Sequence, residues 1–120
     1  IDFTARDLQE MCKEKGLPWE IAKAFEHSAP VSRKFLDKST LDLSNLNFSL
    51  QKNGELVQSG NTSDMLFSID QIIAYVSQFF SLKIGDLIFT GTPAGVGPVA
   101  INDVLTGFIE DKKMFEVKIK

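Results

Sequence analysis

The sequence is short of cysteine and histidine, the residues from which soft-metal, redox and many nucleophile sites are built. It has one cysteine, Cys12, so no internal disulfide can form, and a reducing compartment, the cytoplasm, is the natural setting. It has one histidine, His27, with no Cys or second His near it in sequence, which leaves little basis for imidazole-built metal or triad chemistry. No G-x-S-x-G element marks a serine nucleophile. Positive charge is also short: 13 Lys and Arg against 16 Asp and Glu give a net charge of −3. With no basic stripe to meet phosphates, a nucleic-acid partner is not expected. No apolar run approaches the ~18 residues of a bilayer-spanning helix, so no membrane partner is expected either.

What is present is one domain's worth of chain at most, 120 residues with 43% apolar and 24% charged side chains, as in ordinary globular proteins. The aromatics are skewed: ten Phe against one Trp and one Tyr. That set predicts aromatic packing in a core or a subunit interface.

Hydrophobic spacing places the elements. Residues 4–15 read as a helix, with Thr4 as cap and Asp7 three residues on as a short-armed capping box. Leu8, Met11 and Cys12 share its stripe, and Gly16 ends it. Pro18 opens a second short helix, with Trp19, Ala22 and Phe25 on one face. The stretch 26–40 has no regular pattern. Leu46, Phe48 and Leu50 alternate with polar residues as a half-buried strand, and a bulge or break is expected near Ser44-Asn45, where the phase changes. Asn53-Gly54 is a hairpin turn, with the return strand near 55–59. Ile69, Ile72, Ile73, Val76 and Phe80 mark a helix over 69–80, capped by Ser68 with Gln71 three residues on. A turn follows at Gly85-Asp86, and Leu87-Ile88-Phe89 reads as a buried strand. A second hairpin, 104–109 and 114–119, turns at 110–112. Strands and helices do not alternate as βαβα, so the fold class is α+β with a mixed or antiparallel sheet.

Few residues carry chemistry by pattern. The segment TGTPAGVGP at 90–98 is either a structural turn or a loop aiming backbone N–H groups and threonine hydroxyls at an anion. It lacks the Lys-Ser/Thr of a phosphate-binding P-loop and the spacing of a dinucleotide fingerprint. Asp2 is a candidate metal ligand, although a magnesium ion takes about six oxygens and usually more than one carboxylate. Arg6, one turn on, can clamp a substrate carboxylate or pair with Asp2 or Asp7. Gln9 is a second polar arm or a surface residue. Lys23 sits among alanines, where it can offset charge on an enolate oxygen or simply face solvent. Cys12 falls on the helix stripe and reads as buried packing.

Four stretches together resemble the catalytic domain of the fumarylacetoacetate hydrolase family: DFTARDLQ at 2–9, KGLPWEIAKAFEHSAPV at 15–31, NGELVQSGNTSDM at 53–65 and GDLIFTGTPAGVG at 85–97. The resemblance points to its acylpyruvase, oxaloacetate decarboxylase and hydroxyheptadienedioate isomerase members. It implies a mixed β-roll with short flanking helices, usually a homodimer, binding Mg2+ or sometimes Mn2+ or Ca2+ through a Glu-x-Glu pair and a later Asp. By motif, that Asp is Asp2; the substrate-binding Arg and Gln are Arg6 and Gln9; the active-site Lys is Lys23; and the threonine of the glycine-rich loop is Thr92. Residues 1–120 then read as the C-terminal part of a single catalytic domain, with the paired glutamates and a His-containing lid upstream. Asn102-Asp103 stands where the family has Gly-Asp, and Ser32 where it has Gly after Pro-Val. The implied activity is metal-dependent cleavage or isomerisation of small 2-oxo acids, by acylpyruvate hydrolysis or oxaloacetate decarboxylation through an enolate. Alternatives are an isomerase/decarboxylase acting on 2-hydroxyhepta-2,4-diene-1,7-dioate in aromatic catabolism, and a non-catalytic binding or assembly domain that keeps the fold.

Overall fold

The computed structural model describes residues 1–120. They form two compact units, Ile1–Ser32 and Arg33–Lys120, each described by itself.

The first unit is built on two helices, α1 (Arg6–Lys15) and α2 (Glu20–Lys23). The apolar stripe of α1 delivers Cys12 to the interior, 1% exposed, beside the fully buried Ala22 of α2. Gly16 closes α1 with φ 62°, a left-handed residue that lets the next turn fold back. The N-terminus of α1 differs from the sequence expectation. Ala5, not Thr4, is the N-cap, and no side chain caps the helix. The Thr4 hydroxyl is engaged elsewhere, by Lys23. Two backbone bonds tie the leading residues down: Ala5 N–H donates to Ala22 O at 3.0 Å and Phe3 N–H to Ser28 O at 2.8 Å. Pro18 precedes the N-cap Trp19 of α2 and so lies outside the helix.

The second unit carries a four-stranded sheet of β1 (Asn47–Lys52), β2 (Glu55–Asn61), β3 (Val104–Ile109) and β4 (Lys112–Lys118), in the order β2-β1-β3-β4. Every pairing is antiparallel. The Asn53-Gly54 turn has φ 54° and 86°, the two left-handed residues that match strand twist in a two-residue hairpin. The phase change at Ser44-Asn45 is a turn, with Ser44 N–H donating to Asp42 Oδ1 at 3.0 Å. The bulges lie elsewhere, between Leu50 and Gln51 and between Gly107 and Phe108. The second one inserts Met114, which is buried, between Lys113 and Phe115, the partners of Phe108 and Gly107; beyond it Phe115, Val117 and Ile119 are half-buried and alternate with exposed Glu116 and Lys118. Leu105 of β3 and Met114 of β4 are the buried hydrophobic side chains of the sheet.

Side chains staple β3 at both ends. Asn53 accepts from Val104 N–H at 2.8 Å and donates to Asp103 Oδ1 at 2.8 Å. Asp103 also accepts from Ala100 N–H at 2.8 Å. The Ala100 N–H first, then the Asn53 amide, hold the Asp103 carboxyl below its usual range. At the other end Glu110 accepts from Asn47 N–H at 2.7 Å and from its side-chain amide at 3.1 Å, with the same downward effect. Asn102 takes φ 76°, a conformation Asn tolerates, in keeping with a glycine position in the resembled family.

Helix α3 (Ile69–Val76) starts as expected, with a complete capping box between Ser68 and Gln71. It stops at Val76, and Phe79 and Phe80 continue in turns. Gly85-Asp86 is a turn, tied by Lys83 N–H to Asp86 Oδ2 at 2.7 Å. Leu87-Ile88-Phe89 forms no strand and is 58%, 36% and 49% exposed. An apolar run signals a wish for burial but names no partner, and neither edge of this sheet pairs with it. Ile88 and Thr90 instead line, with Ile69, Ile72 and Ile73 of α3, a cavity of about 330 Å3. No helix is long and apolar enough to cross a membrane.

Candidate functional site

The first unit brings together Asp2, Thr4 and Lys23. Residues 2–5 lead into α1 and are held by backbone bonds to Ala22 and Ser28, which sets Asp2 and Thr4 on the same side as Lys23 at the end of α2. The Lys23 ammonium donates to Asp2 Oδ2 at 2.7 Å and to Thr4 Oγ1 at 2.8 Å. An ammonium has three N–H donors, so one remains for another oxygen. The pair is neither buried nor fully open, with side-chain exposures of 33% for Lys23 and 46% for Asp2. Asp2 thus pairs with Lys23 and not with Arg6.

Arg6 and Gln9 lie on the first turns of α1, three residues apart and so on one face. Arg6 is exposed and Gln9 half-buried. No ion pair or hydrogen bond occupies the guanidinium, which leaves its five donors available to an anion. His27 is exposed, with φ 62°, and lies 3.6 Å from Glu26. Cys12 is buried packing, as its place on the stripe predicted.

Thr92 belongs to the second unit. It is exposed on the glycine-rich loop, which runs irregularly over β2. The loop is fixed there by two devices. The Gln58 side-chain amide donates to Thr92 Oγ1 at 2.9 Å and to Pro93 O at 3.1 Å. Gly95, with φ 97°, lies directly against the Val57 carbonyl, where a Cβ would collide with the oxygen. The bare backbone of Gly95 is therefore required twice, for its φ and for its clearance.

Sequence reasoning missed Thr4 and Gln58. Thr4 carried a signal, but it was the signal of a helix cap. Gln58 stood inside the NGELVQSGNTSDM stretch with no role attached. The neighbours of Gln58 in that stretch are structural: Asn53 makes the turn, Asn61 accepts from Ser63 N–H at 2.8 Å, and Thr62 Oγ1 accepts from Leu46 N–H at 2.8 Å.

No three His, Cys, Asp or Glu side chains in residues 1–120 lie close enough to share a metal ion. Asp2 has one carboxylate oxygen on Lys23 and the other without a partner, so it fits as one ligand of a hard divalent ion. It does not amount to a complete site.

Comparison with known proteins agrees along the whole length. The family profile described as fumarylacetoacetate (FAA) hydrolase C-terminal matches residues 1–120. The chain is 49% identical to the mitochondrial oxaloacetate tautomerase FAHD1 of Mus musculus, over 100% of this chain and 54% of that protein. It is 49% identical to the oxaloacetate tautomerase YcgM of Escherichia coli, over 88% of this chain and 49% of that protein. The crystal structure of fumarylpyruvate hydrolase from Pseudomonas aeruginosa, in complex with Mn2+ and pyruvate, superposes with a TM-score of 0.88 at 38% identity, covering 97% of this chain and 50% of that one. The chain spans about half the length of the curated relatives it matches. On the profile match over every residue, the chain belongs to the fumarylacetoacetate hydrolase family.

Proposed function

We propose that the protein is a divalent-metal-dependent enzyme that isomerises or cleaves small 2-oxo acids through an enolate, with oxaloacetate as the leading substrate. The observation that carries this reading is the Lys23 ammonium, fixed by Asp2 and Thr4 with one N–H to spare. A fixed cation of that kind offsets the charge that grows on an enolate oxygen when a proton leaves the adjacent carbon or a C–C bond breaks. The two tautomerases at 49% identity favour proton movement. The fumarylpyruvate hydrolase supports a second reading, C–C cleavage by water, which needs in addition a positioned water and a base. Exposed His27 does not supply that base.

In this proposal Asp2 is one metal ligand, and the others, a pair of glutamates, lie outside residues 1–120. Mg2+ is the proposed ion, with Mn2+ or Ca2+ able to replace it. When bound, the ion supplies Lewis-acid polarisation of the 2-oxo carbonyl. Arg6 binds a substrate carboxylate through its free guanidinium, Gln9 adds a second polar contact, and Thr92 donates to a substrate oxygen. Residues 1–120 are proposed to be the C-terminal part of one catalytic domain, whose complete form is a mixed β-roll and a homodimer. A reducing compartment such as the cytoplasm goes with the free Cys12.

The test is turnover of oxaloacetate and of acylpyruvates by the full-length protein, with Mg2+ and then with EDTA. Loss of turnover on chelation and its return with Mg2+ is expected. Turnover indifferent to EDTA overturns the metal role, and no turnover of any 2-oxo acid leaves the non-catalytic reading in its place.

A further inference from the structure

Gln58 reaches from β2 to three consecutive residues of the glycine-rich loop. Its nearest partners are Thr92 Oγ1 at 2.9 Å and Pro93 O at 3.1 Å, with Ala94 O at 3.5 Å. Two of these are carbonyl oxygens, which only accept, so the end of the amide facing them is the nitrogen. Its two N–H groups serve Thr92 and Pro93.

We infer that Gln58 is a positioning residue: by donating to Thr92 Oγ1 it commits the Thr92 hydroxyl to act as a hydrogen-bond donor toward an anionic oxygen of the substrate. This rests on the proposal that Thr92 contacts substrate. A hydroxyl has one proton and two lone pairs. With a lone pair taken by Gln58, the proton must point elsewhere, and no acceptor in the structure receives it. Thr92 is exposed, so the acceptors open to that proton are solvent and a bound ligand. The carboxylate and 2-oxo or enolate oxygens of a small 2-oxo acid are acceptors only, which is the complement of such a hydroxyl. The platform under the loop is firm, because Gly95 rests on the Val57 carbonyl and Pro93 lies beside Gly60. Gln58 therefore acts on the direction of one proton and not only on the position of the loop.

The experiment compares Gln58→Glu, Gln58→Met and Thr92→Val in the full-length, Mg2+-loaded protein with oxaloacetate. The ionised carboxylate that Gln58→Glu introduces cannot donate. It draws the Thr92 proton to itself and repels the Pro93 carbonyl and the substrate anion. Gln58→Glu is expected to raise KM about tenfold or more at pH 7–8 while kcat changes less. The defect relative to the parent shrinks toward pH 5 as the new carboxyl protonates and regains a donor. Gln58→Met, which adds no charge, keeps the proposal testable if the carboxylate unfolds the loop. It is expected to raise KM severalfold without recovery at low pH, and less than additively with Thr92→Val. Parental KM in both Gln58 variants, with Thr92→Val impaired, overturns the positioning role alone. Parental KM in Thr92→Val overturns the Thr92 contact and the positioning role with it. A lowered thermal midpoint with a pH-independent loss confined to kcat marks scaffolding only and also overturns the role.

Discussion

Two of the three protons on the Lys23 ammonium are committed, to Asp2 and Thr4, and the third is the one the proposed chemistry uses. Lys23→Ala is expected to lower oxaloacetate turnover of the full-length enzyme about 10²–10³-fold, the usual cost of removing one donor from developing charge. Folding stability should fall by no more than about 1 kcal/mol, because the Asp2–Lys23 pair is partly exposed. Thermal melts beside steady-state kinetics separate the two effects. Motif match pointed to Lys23 and Asp2 by number, but their direct bond was not legible. It depends on residues 2–5 lying against the end of α2, a tertiary contact that no spacing encodes. The carboxylates at the ends of β3 give a second expectation. The Asp103 and Glu110 carboxyls are held below their ordinary values in the fold, so their contribution is complete at neutral pH and fades as pH falls below about 4. Asp103→Asn should lower the urea midpoint at pH 7, and the gap to the parent should narrow at pH 3.

Helix α3 is the element in which local sequence and structure agree most closely. Its periodicity, its cap and its capping box were all readable, because each is decided within one or two turns. Ser68→Ala is expected to cost about 1 kcal/mol, read from chemical denaturation of the full-length protein. Both hairpins were legible for the same reason, that each turn is local: Asn53-Gly54 is as expected, and the second turn is Glu110-Asp111, one residue shorter than 110–112 because Lys112 already pairs in β4. The failures share a different cause. Thr4 was a sound cap by sequence, yet Lys23, 19 residues away, holds its hydroxyl. The burial of Met114 was hidden because a bulge opposite Gly107-Phe108 inserts it between Lys113 and Phe115. The run at 87–89 asked for a strand partner that the sheet does not offer.

Across the whole molecule, apolar side chains of 66–89 stand out into solvent, among them Leu66 at 93%, Phe80 at 68% and Ile84 fully exposed. A surface of that kind is sticky. Residues 1–120 prepared alone are expected to bind a hydrophobic dye and to associate as concentration rises, and Ile84→Lys with Phe80→Ser should weaken both, as followed by light scattering. Association that ignores these substitutions would place the contact elsewhere. The stapling of Val104 by Asn53 carries a consequence for the order of assembly. The β1–β2 and β3–β4 hairpins are local in sequence and can close on the microsecond scale. Pairing β1 with β3 must instead bridge the long intervening stretch 62–103, at an entropic cost that rises with loop length. The Asn53 side chain is ready at the tip of the first hairpin to catch Val104, the first residue of the second. Asn53→Gly keeps the turn and the backbone bond from residue 53 N–H to Val104 O, and removes the side-chain half of the catch. It should therefore slow refolding while leaving the unfolding rate nearly unchanged, the signature of a contact already made at the barrier.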